Sequence, residues 1–393
     1  AAIRSRIERC LPAHAPEVRA GVLGSAMKSF SLFRTIIERG GKGVLELKVS
    51  EAPVPQEADL KEDEVLVAVE AAPINPSDLG PLFAPSHAAI GRFDGAVSEV
   101  DAEGRKVALL PLPDSTFRVL KGTKVLGRAN KVGNEGAGRV IGAGKGARAQ
   151  SLKGKLVAAM GMGGSYRQHA VVKVSQCLEH SEGTSAEEAA SSFINPLTAL
   201  QMVRTMRAEG HTAIVHTAAG SQLGQMLVRI CKADGIPLVN IVRRPEQVAL
   251  LKALGAEFVV DTSAANYQQD LIQALDASGA TIAFDATGGG TLGFEIIKAM
   301  ETVATRKASA MSAYGSTTFK QLYIYGGLNA GEPLTLRPHA GMGGFSWSVA
   351  GFLLNPAQVT EAERQRVSRE IKTTFATTYS RRLSLEQMLD VPI

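Results

Sequence analysis

Cysteine is scarce: the 393-residue chain holds three, Cys10, Cys177 and Cys231. They are far apart, odd in number and include no C-x-x-C pair. That excludes a four-cysteine zinc site and argues against a disulfide framework, so the usage points to a reducing compartment. No apolar run approaches the roughly 18 residues of a membrane span. The nearest, 345–354, is broken by Ser346 and Ser348. Neither sign of charge dominates, with 43 basic and 38 acidic residues and a net charge of +5. Aromatics are only 5%, and no basic stripe interleaves with them, so nucleic-acid binding is not indicated. There is no internal repeat and no low-complexity tract.

What is present suits a globular protein of about two domains, with 45% hydrophobic residues to build its cores. Residues 1–26 carry Arg4, Arg6, Arg9 and Arg19 against Glu8 and Glu17. This resembles organelle-targeting sequence or the part left after its cleavage, which suggests a mitochondrial location. A lineage-specific tail on a cytoplasmic protein is the alternative.

The first half reads as β-rich. A first strand opens near Met27, and Val44–Val49 and Glu64–Ala71 follow. Residues 72–78 read as a loop, because Pro73 and Pro76 interrupt a ladder. Residues 84–130 read as loops plus one strand, Val107–Leu112. Gly133–Gly138 reads as a turn-rich hinge before a strand at Arg139–Ile141. Lys155–Met160 and Gln168–Val174 are further strands. Helical periodicity starts near Ser185, and a new helix at Asn195-Pro196 carries the stripe Leu197, Leu200, Val203, Met206.

From Thr212 strands and helices alternate. The strands are Ala213–His216, Leu238–Val242, Phe258–Val260, Thr281–Asp285 and, as the last, Gln321–Tyr325. The helices are Leu223–Ala233, Glu246–Leu254, Ala265–Leu275 and Leu292–Met300. Such alternation implies an α/β fold, a parallel sheet covered on both faces. The first turn holds small residues: Ala219, Gly220, Ser221, Gln222, Leu223, Gly224. Ala219 and Ser221 stand at the first two glycine positions of G-x-G-x-x-G, and Gly224 at the third. A turn of this kind lets backbone amides meet a pyrophosphate at a helix N-terminus. About twenty residues on, where an acidic residue would bind an unmodified ribose, stand Arg243 and Arg244. Guanidinium groups there suit a 2′-phosphate, so the cofactor reads as NADPH.

Four motifs occur in order: Ala71–Asp78 (AAPINPSD), Val132–Gly138 (VGNEGAG), Asn195–Leu200 (NPLTAL) and the His216–Gly224 loop. Together they resemble the zinc-independent medium-chain dehydrogenase/reductases, in particular quinone oxidoreductases and mitochondrial enoyl thioester reductases. The resemblance implies a GroES-like β-rich catalytic domain over 27–195, a doubly wound Rossmann NADP-binding domain over 196–330, and a C-terminal return over 331–393. It implies a dimer or a subunit of a larger complex acting on a small molecule. It also implies cofactor contacts from Thr198, Gly326, Gly327 and Leu328, and places Asn75 and Asn134 in the substrate cleft. Zinc-dependent relatives carry a cysteine in the 75–78 loop and a histidine where this chain has Asn134. The remaining histidines, including His169, His180, His211 and His216, lack ligand spacing, so no metal is expected. Enoyl thioester reductases carry a tyrosine shortly after the Asn-Pro loop, and 79–92 holds none. His87 is the nearest candidate acid there, and no catalytic residue is assigned. The expected function is hydride transfer from NADPH to a quinone or an α,β-unsaturated carbonyl. The alternatives are a non-catalytic accessory subunit and an enoyl thioester reductase.

Overall fold

A computed structural model describes residues 28–86, 93–309, 313–329, 331–335, 341, 343–349 and 359–390. The Arg-rich extension, Cys10 and His87 lie outside the described residues. The chain opens with a long hairpin, β1 (Lys28–Arg39) and β2 (Lys42–Pro53). Its two-residue turn, Gly40-Gly41, has positive φ at both positions, 58° and 79°. A primed hairpin turn requires this backbone, and glycine supplies it without strain. Alternation turns Leu32, Ile36, Leu45 and Leu47 onto one buried face.

Two antiparallel sheets form the first half. Their strands are β3 (Glu64–Ala71), β4 (Val97–Val100), β5 (Lys106–Pro111), β6 (Asn130–Lys131), β7 (Glu135–Ala143), β8 (Leu156–Met160), β9 (His169–Lys173) and β10 (Cys177–Glu179). One sheet runs β4-β5-β2-β1-β6 and the other β10-β8-β7-β3-β9. The short helices α1 (Pro76–Phe83), α2 (Asp114–Leu120), α3 (Ala147–Leu152) and α4 (Ala186–Ala190) fill the connections.

Helix α5 (Ile194–Ala208) leads into the third sheet. In chain order come β11 (Ile214–His216), α6 (Gln222–Asp234), β12 (Leu238–Val242), α7 (Pro245–Ala253), β13 (Phe258–Asp261), α8 (Tyr267–Ser278), β14 (Ile282–Asp285), α9 (Leu292–Lys307), β15 (Lys320–Ile324) and β16 (Phe345–Val349). The sheet order is β13-β12-β11-β14-β15-β16, every pair parallel. The chain winds outward from β11 to β13, then restarts at β14 on the other side of β11. The crevice at the carboxyl ends of β11 and β14 is therefore the switch point where ligands of such sheets bind. One face packs on α5 and α6 through Leu197, Met202, Met226 and Leu227, and the other on α8 and α9 through Leu271, Ile296 and Met300. Strand β12 is buried along its whole length, as a sheet covered on both faces requires.

The C-terminal part returns to the first half. Helix α10 (Glu361–Arg369) packs on α5. Met388 and Leu389 then enter the core of the first sheet beside Leu110 and Leu45. Ser98 Oγ donates to the Leu389 carbonyl at 2.6 Å.

The structure corrects five sequence readings. Residues 72–78 are not wholly loop, since α1 starts at Pro76, where a missing N–H costs nothing in a first turn. Gly133–Gly138 is not a hinge before Arg139, since β7 already begins at Glu135. Its glycines serve close approach, and a Cβ on Gly138 would overlap the Ala68 carbonyl. The stretch 84–130 holds β4, β6 and α2 besides the expected strand, elements too short to show periodicity. Pro196 is third in α5 rather than first. The strand at 320–324 is not the last: β16 pairs beyond it, and its largely exposed edge position hides any buried alternation.

Candidate functional site

At the end of β11 the chain turns through Thr217–Ser221 into α6. Ser221 caps the helix, its Oγ accepting from Gly224 N at 3.2 Å. Ala218 has φ 49°, unique among the described non-glycine residues. Its left-handed conformation bends the loop back, and Ser221 N donates to its carbonyl at 3.0 Å. Gly224 packs so closely that a Cβ there would overlap the Ala219 carbonyl. The amides of Gly220, Gln222 and Leu223 meet no protein acceptor among the described residues. Three free donors at a helix N-terminus form an anion cradle.

Arg243 and Arg244 leave the end of β12 exposed. Gln247 connects them to the loop. Its side-chain oxygen accepts from Arg243 N at 3.3 Å, and its amide packs against Gly220. The small-residue turn and the two arginines thus adjoin across one side chain.

On the other side of the crevice, Asp285 is fully buried at the end of β14. Its Oδ1 accepts from Thr217 Oγ1 (2.6 Å), Thr287 Oγ1 (2.7 Å) and Thr287 N (2.9 Å), and its Oδ2 from Gly288 N (3.1 Å). It therefore ties the β11 loop to the β14 loop. Gly326, Gly327 and Leu328 follow β15, and Leu328 N donates to the Ala286 carbonyl at 3.1 Å. Leu328 is 57% exposed, so it rims the crevice rather than lining its floor.

A buried polar network joins the first half to the start of α5. Glu135 is 0% exposed. Its Oε2 accepts from Phe193 N (2.7 Å) and Ile194 N (3.1 Å), and its Oε1 from Asn75 Nδ2 (3.0 Å). Asn75 Oδ1 accepts from Asn195 Nδ2 at 3.1 Å. Burial pushes the Glu135 carboxyl up to about 7, against the three N–H donors that favour its charged form. Asp78, also buried, accepts from Asn75 N (2.8 Å) and Asn134 N (2.9 Å). Burial raises it too, while those amides oppose the rise.

Of the two cleft asparagines, Asn75 is 4% exposed with both ends of its amide engaged. Asn134 is half-buried and donates to Ser77 Oγ at 3.2 Å. Thr198 is half-buried on α5, one turn beyond Asn195. The fully buried His216 pairs with the half-buried Tyr325, Nε2 to phenol oxygen 2.6 Å. Burial drops His216 to about 3 and raises the Tyr325 phenol. No group of three or more His, Cys, Asp or Glu side chains with metal-site geometry occurs among the described residues.

Sequence reasoning missed Glu135, Asp285, Asn195 and Gln247. Glu135 and Asp285 had a signal, each being the lone carboxylate in a run of apolar or glycine residues. Gln247 had none.

Residues 223–305 match the family described as zinc-binding dehydrogenase. The chain is 26% identical over 166 residues to the quinone oxidoreductase of Pseudomonas aeruginosa, covering 42% of this chain and 51% of that protein. It is 24% identical over 271 residues to the mitochondrial enoyl-[acyl-carrier-protein] reductase of Arabidopsis thaliana, covering 68% of this chain and 61% of the relative. In these matches the chain spans about half to three-fifths of the length of its curated relatives. Among solved structures, one described as an NADPH:quinone reductase from Mesorhizobium loti shares the fold. Its TM-score is 0.62 at 22% identity, with 91% of this chain and 92% of that one covered.

Proposed function

We propose, from the premise that the chain belongs to the medium-chain dehydrogenase/reductase family, that it is an NADPH-dependent reductase of quinones or α,β-unsaturated carbonyls that works without zinc. The observation that carries this reading is the junction of the free amides of Gly220, Gln222 and Leu223 with Arg243, through Gln247. The amides would hold the pyrophosphate, and Arg243 and Arg244 a 2′-phosphate. Gly326, Gly327 and Leu328 would border the nicotinamide. NADPH, when bound, supplies the hydride. Asn134 and Thr198 would orient the acceptor by hydrogen bonds as charge develops on its oxygen. Asn134 and the cysteine-free 75–78 loop stand where zinc-dependent relatives carry ligands, which supports chemistry on acceptors needing no Lewis acid. The reading takes 27–195 with the C-terminal return 331–393 as the substrate side and 196–330 as the cofactor side. Dimerisation and a mitochondrial location belong to it as well, on the strength of the mitochondrial relative and the Arg-rich extension.

The test is NADPH oxidation followed at 340 nm with a benzoquinone and with an enone, each against an acceptor-free control. Acceptor-dependent oxidation supports the reading, and its absence with both acceptors contradicts it. A second reading, an accessory subunit retaining the reductase fold, is favoured by Asn75, whose amide is spent inside the protein. NADPH binding without turnover would support that alternative.

A further inference from the structure

The Glu135 carboxylate gathers N–H donors from two directions. Two backbone amides come from the start of α5, and one side-chain amide comes from Asn75. An ionised carboxylate, the form Glu135 takes as the pH rises above about 7, accepts on both oxygens and donates on neither. Asn75 must therefore turn its NH2 toward Glu135 and its oxygen away. That oxygen can be satisfied only by a donor, so Asn195 must turn its own NH2 toward Asn75. A fixed polarity results, running from Asn195 through Asn75 to Glu135. The far end is Asn195 Oδ1, which accepts no hydrogen bond among the described residues. Asn195 and Thr198 are three apart on α5, hence on one face of the helix. Asn195 is half-buried at the junction between the first half and the dinucleotide domain.

We propose that Glu135 is a positioning residue that sets the orientation of both asparagine amides, so that Asn195 presents a carbonyl oxygen to the cleft rather than an NH2. The ligand group this selects is a hydrogen-bond donor, the class to which a nicotinamide carboxamide NH2 belongs. That last step rests on the function proposed above, whereas the polarity itself does not. The carboxylate also fits its place electrostatically, as an anion at the N-terminus of a helix.

A double-mutant cycle tests this. Glu135→Gln sets an NH2 against the NH2 of Asn75, and relief requires Asn75 and then Asn195 to flip. Asn75→Asp sets a second carboxylate against Glu135. The double variant E135Q/N75D restores the chain of bonds from α5 through 135 and 75 to Asn195, with a carboxylate at 75 now beside Asp78. The new amide oxygen at 135 takes the α5 amides, its NH2 donates to the new carboxylate at 75, and Asn195 donates as before. Each single variant is expected to weaken NADPH binding about tenfold, the effect of leaving one buried polar group unsatisfied. The double variant should return to within about threefold of wild type. Losses that simply add in the double variant, or a Glu135→Gln chain that binds NADPH as wild type does, would overturn the proposal. If the wild-type chain binds no dinucleotide, the proposed function fails on its own. The polarity is then read in the ligand-free protein from melting temperature and from exchange of the Phe193 and Ile194 amides. Recovery of both in the double variant supports it, and additive loss overturns it.

Discussion

Gln222 and Thr378 hold each other by two hydrogen bonds. Gln222 Nε2 donates to the Thr378 carbonyl at 3.2 Å, and Thr378 N donates to Gln222 Oε1 at 3.3 Å. The N-terminus of α6 is thereby tied to the C-terminal return, 156 residues away. The same segment is held by Arg229, which donates to the Thr374 carbonyl at 3.4 Å, and by Arg382, which clasps Glu187 at 2.6 and 2.7 Å. Gln222 therefore has its side chain held away by Thr378, leaving its backbone amide as the main donor it offers an anion. Gln222→Ala should lower NADPH affinity by less than about threefold, while amide exchange over 374–382 speeds up by about tenfold or less. Hydrogen exchange with and without NADPH checks both. A large affinity loss with unchanged exchange would mean that the side chain itself meets the cofactor.

Arg243 and Arg244 are both exposed at the end of β12. Charge-assisted bonds to a phosphate contribute about 1.5–3 kcal/mol apiece. Replacing either one with alanine should weaken NADPH binding by roughly 10- to 100-fold and leave NADH binding within about twofold. Paired fluorescence titrations give this ratio. Equal losses for both dinucleotides would move the arginines away from the 2′ position.

Gly224 has no room for a side chain, because its Cβ would overlap the Ala219 carbonyl. Gly224→Ala should push α6 off the loop and cost about 1–3 kcal/mol of stability. A denaturant melt reads the loss, and a change under about 0.5 kcal/mol would contradict so close a contact.

His216 is neutral in the folded chain, held near 3 by burial against an ordinary value of 6.5. A depressed histidine favours the fold above pH 6.5, and that contribution is lost as the pH falls toward 3. His180, lowered by burial to about 4, acts in the same direction. Stability should fall by a few kcal/mol, to order of magnitude, between pH 6.5 and 4. The variant H216F/Y325F removes both partners of the buried pair with little change of shape. It should flatten that slope, leaving the part from His180. Glu135 titrates the other way: its raised value makes its share of stability greatest in acid and lost as the pH rises through about 7. Melts of wild type and H216F/Y325F from pH 4 to 8 isolate the His216 term. A slope unchanged in H216F/Y325F would show that His216 does not stay neutral.

The third sheet was readable because its strands are buried runs between amphipathic helices, and periodicity reports burial. Leu197, Leu200, Val203 and Met206 all lie buried as their spacing implied. The glycine-rich start of β7 was not readable. Glycine marks a turn and a close strand approach equally, and only the Ala68 carbonyl lying against Gly138 decides between them. Pro76 looked like a breaker, because sequence alone does not tell a helix's first turn from its middle. Edge strand β16 lacks a buried face to betray it. At the site, the loop and the arginines were legible because local spacing encodes them. The Glu135–Asn75–Asn195 chain was not, because its members come from three distant segments and meet only in the folded protein. The same fact engages both ends of the Asn75 amide inside the protein, which leaves Asn134 and Thr198 as the polar groups proposed for the cleft.

The proposed dinucleotide site, with a place for a 2′-phosphate, is formed by Gly220–Gly224 and Arg243–Arg244. Its most direct test is titration of the purified chain with NADPH and with NADH, read by nicotinamide fluorescence at low and moderate salt. NADPH should bind at least about tenfold tighter than NADH, with a preference that shrinks as salt screens the exposed arginines. Equal or tighter NADH binding, or no binding of either, would contradict it.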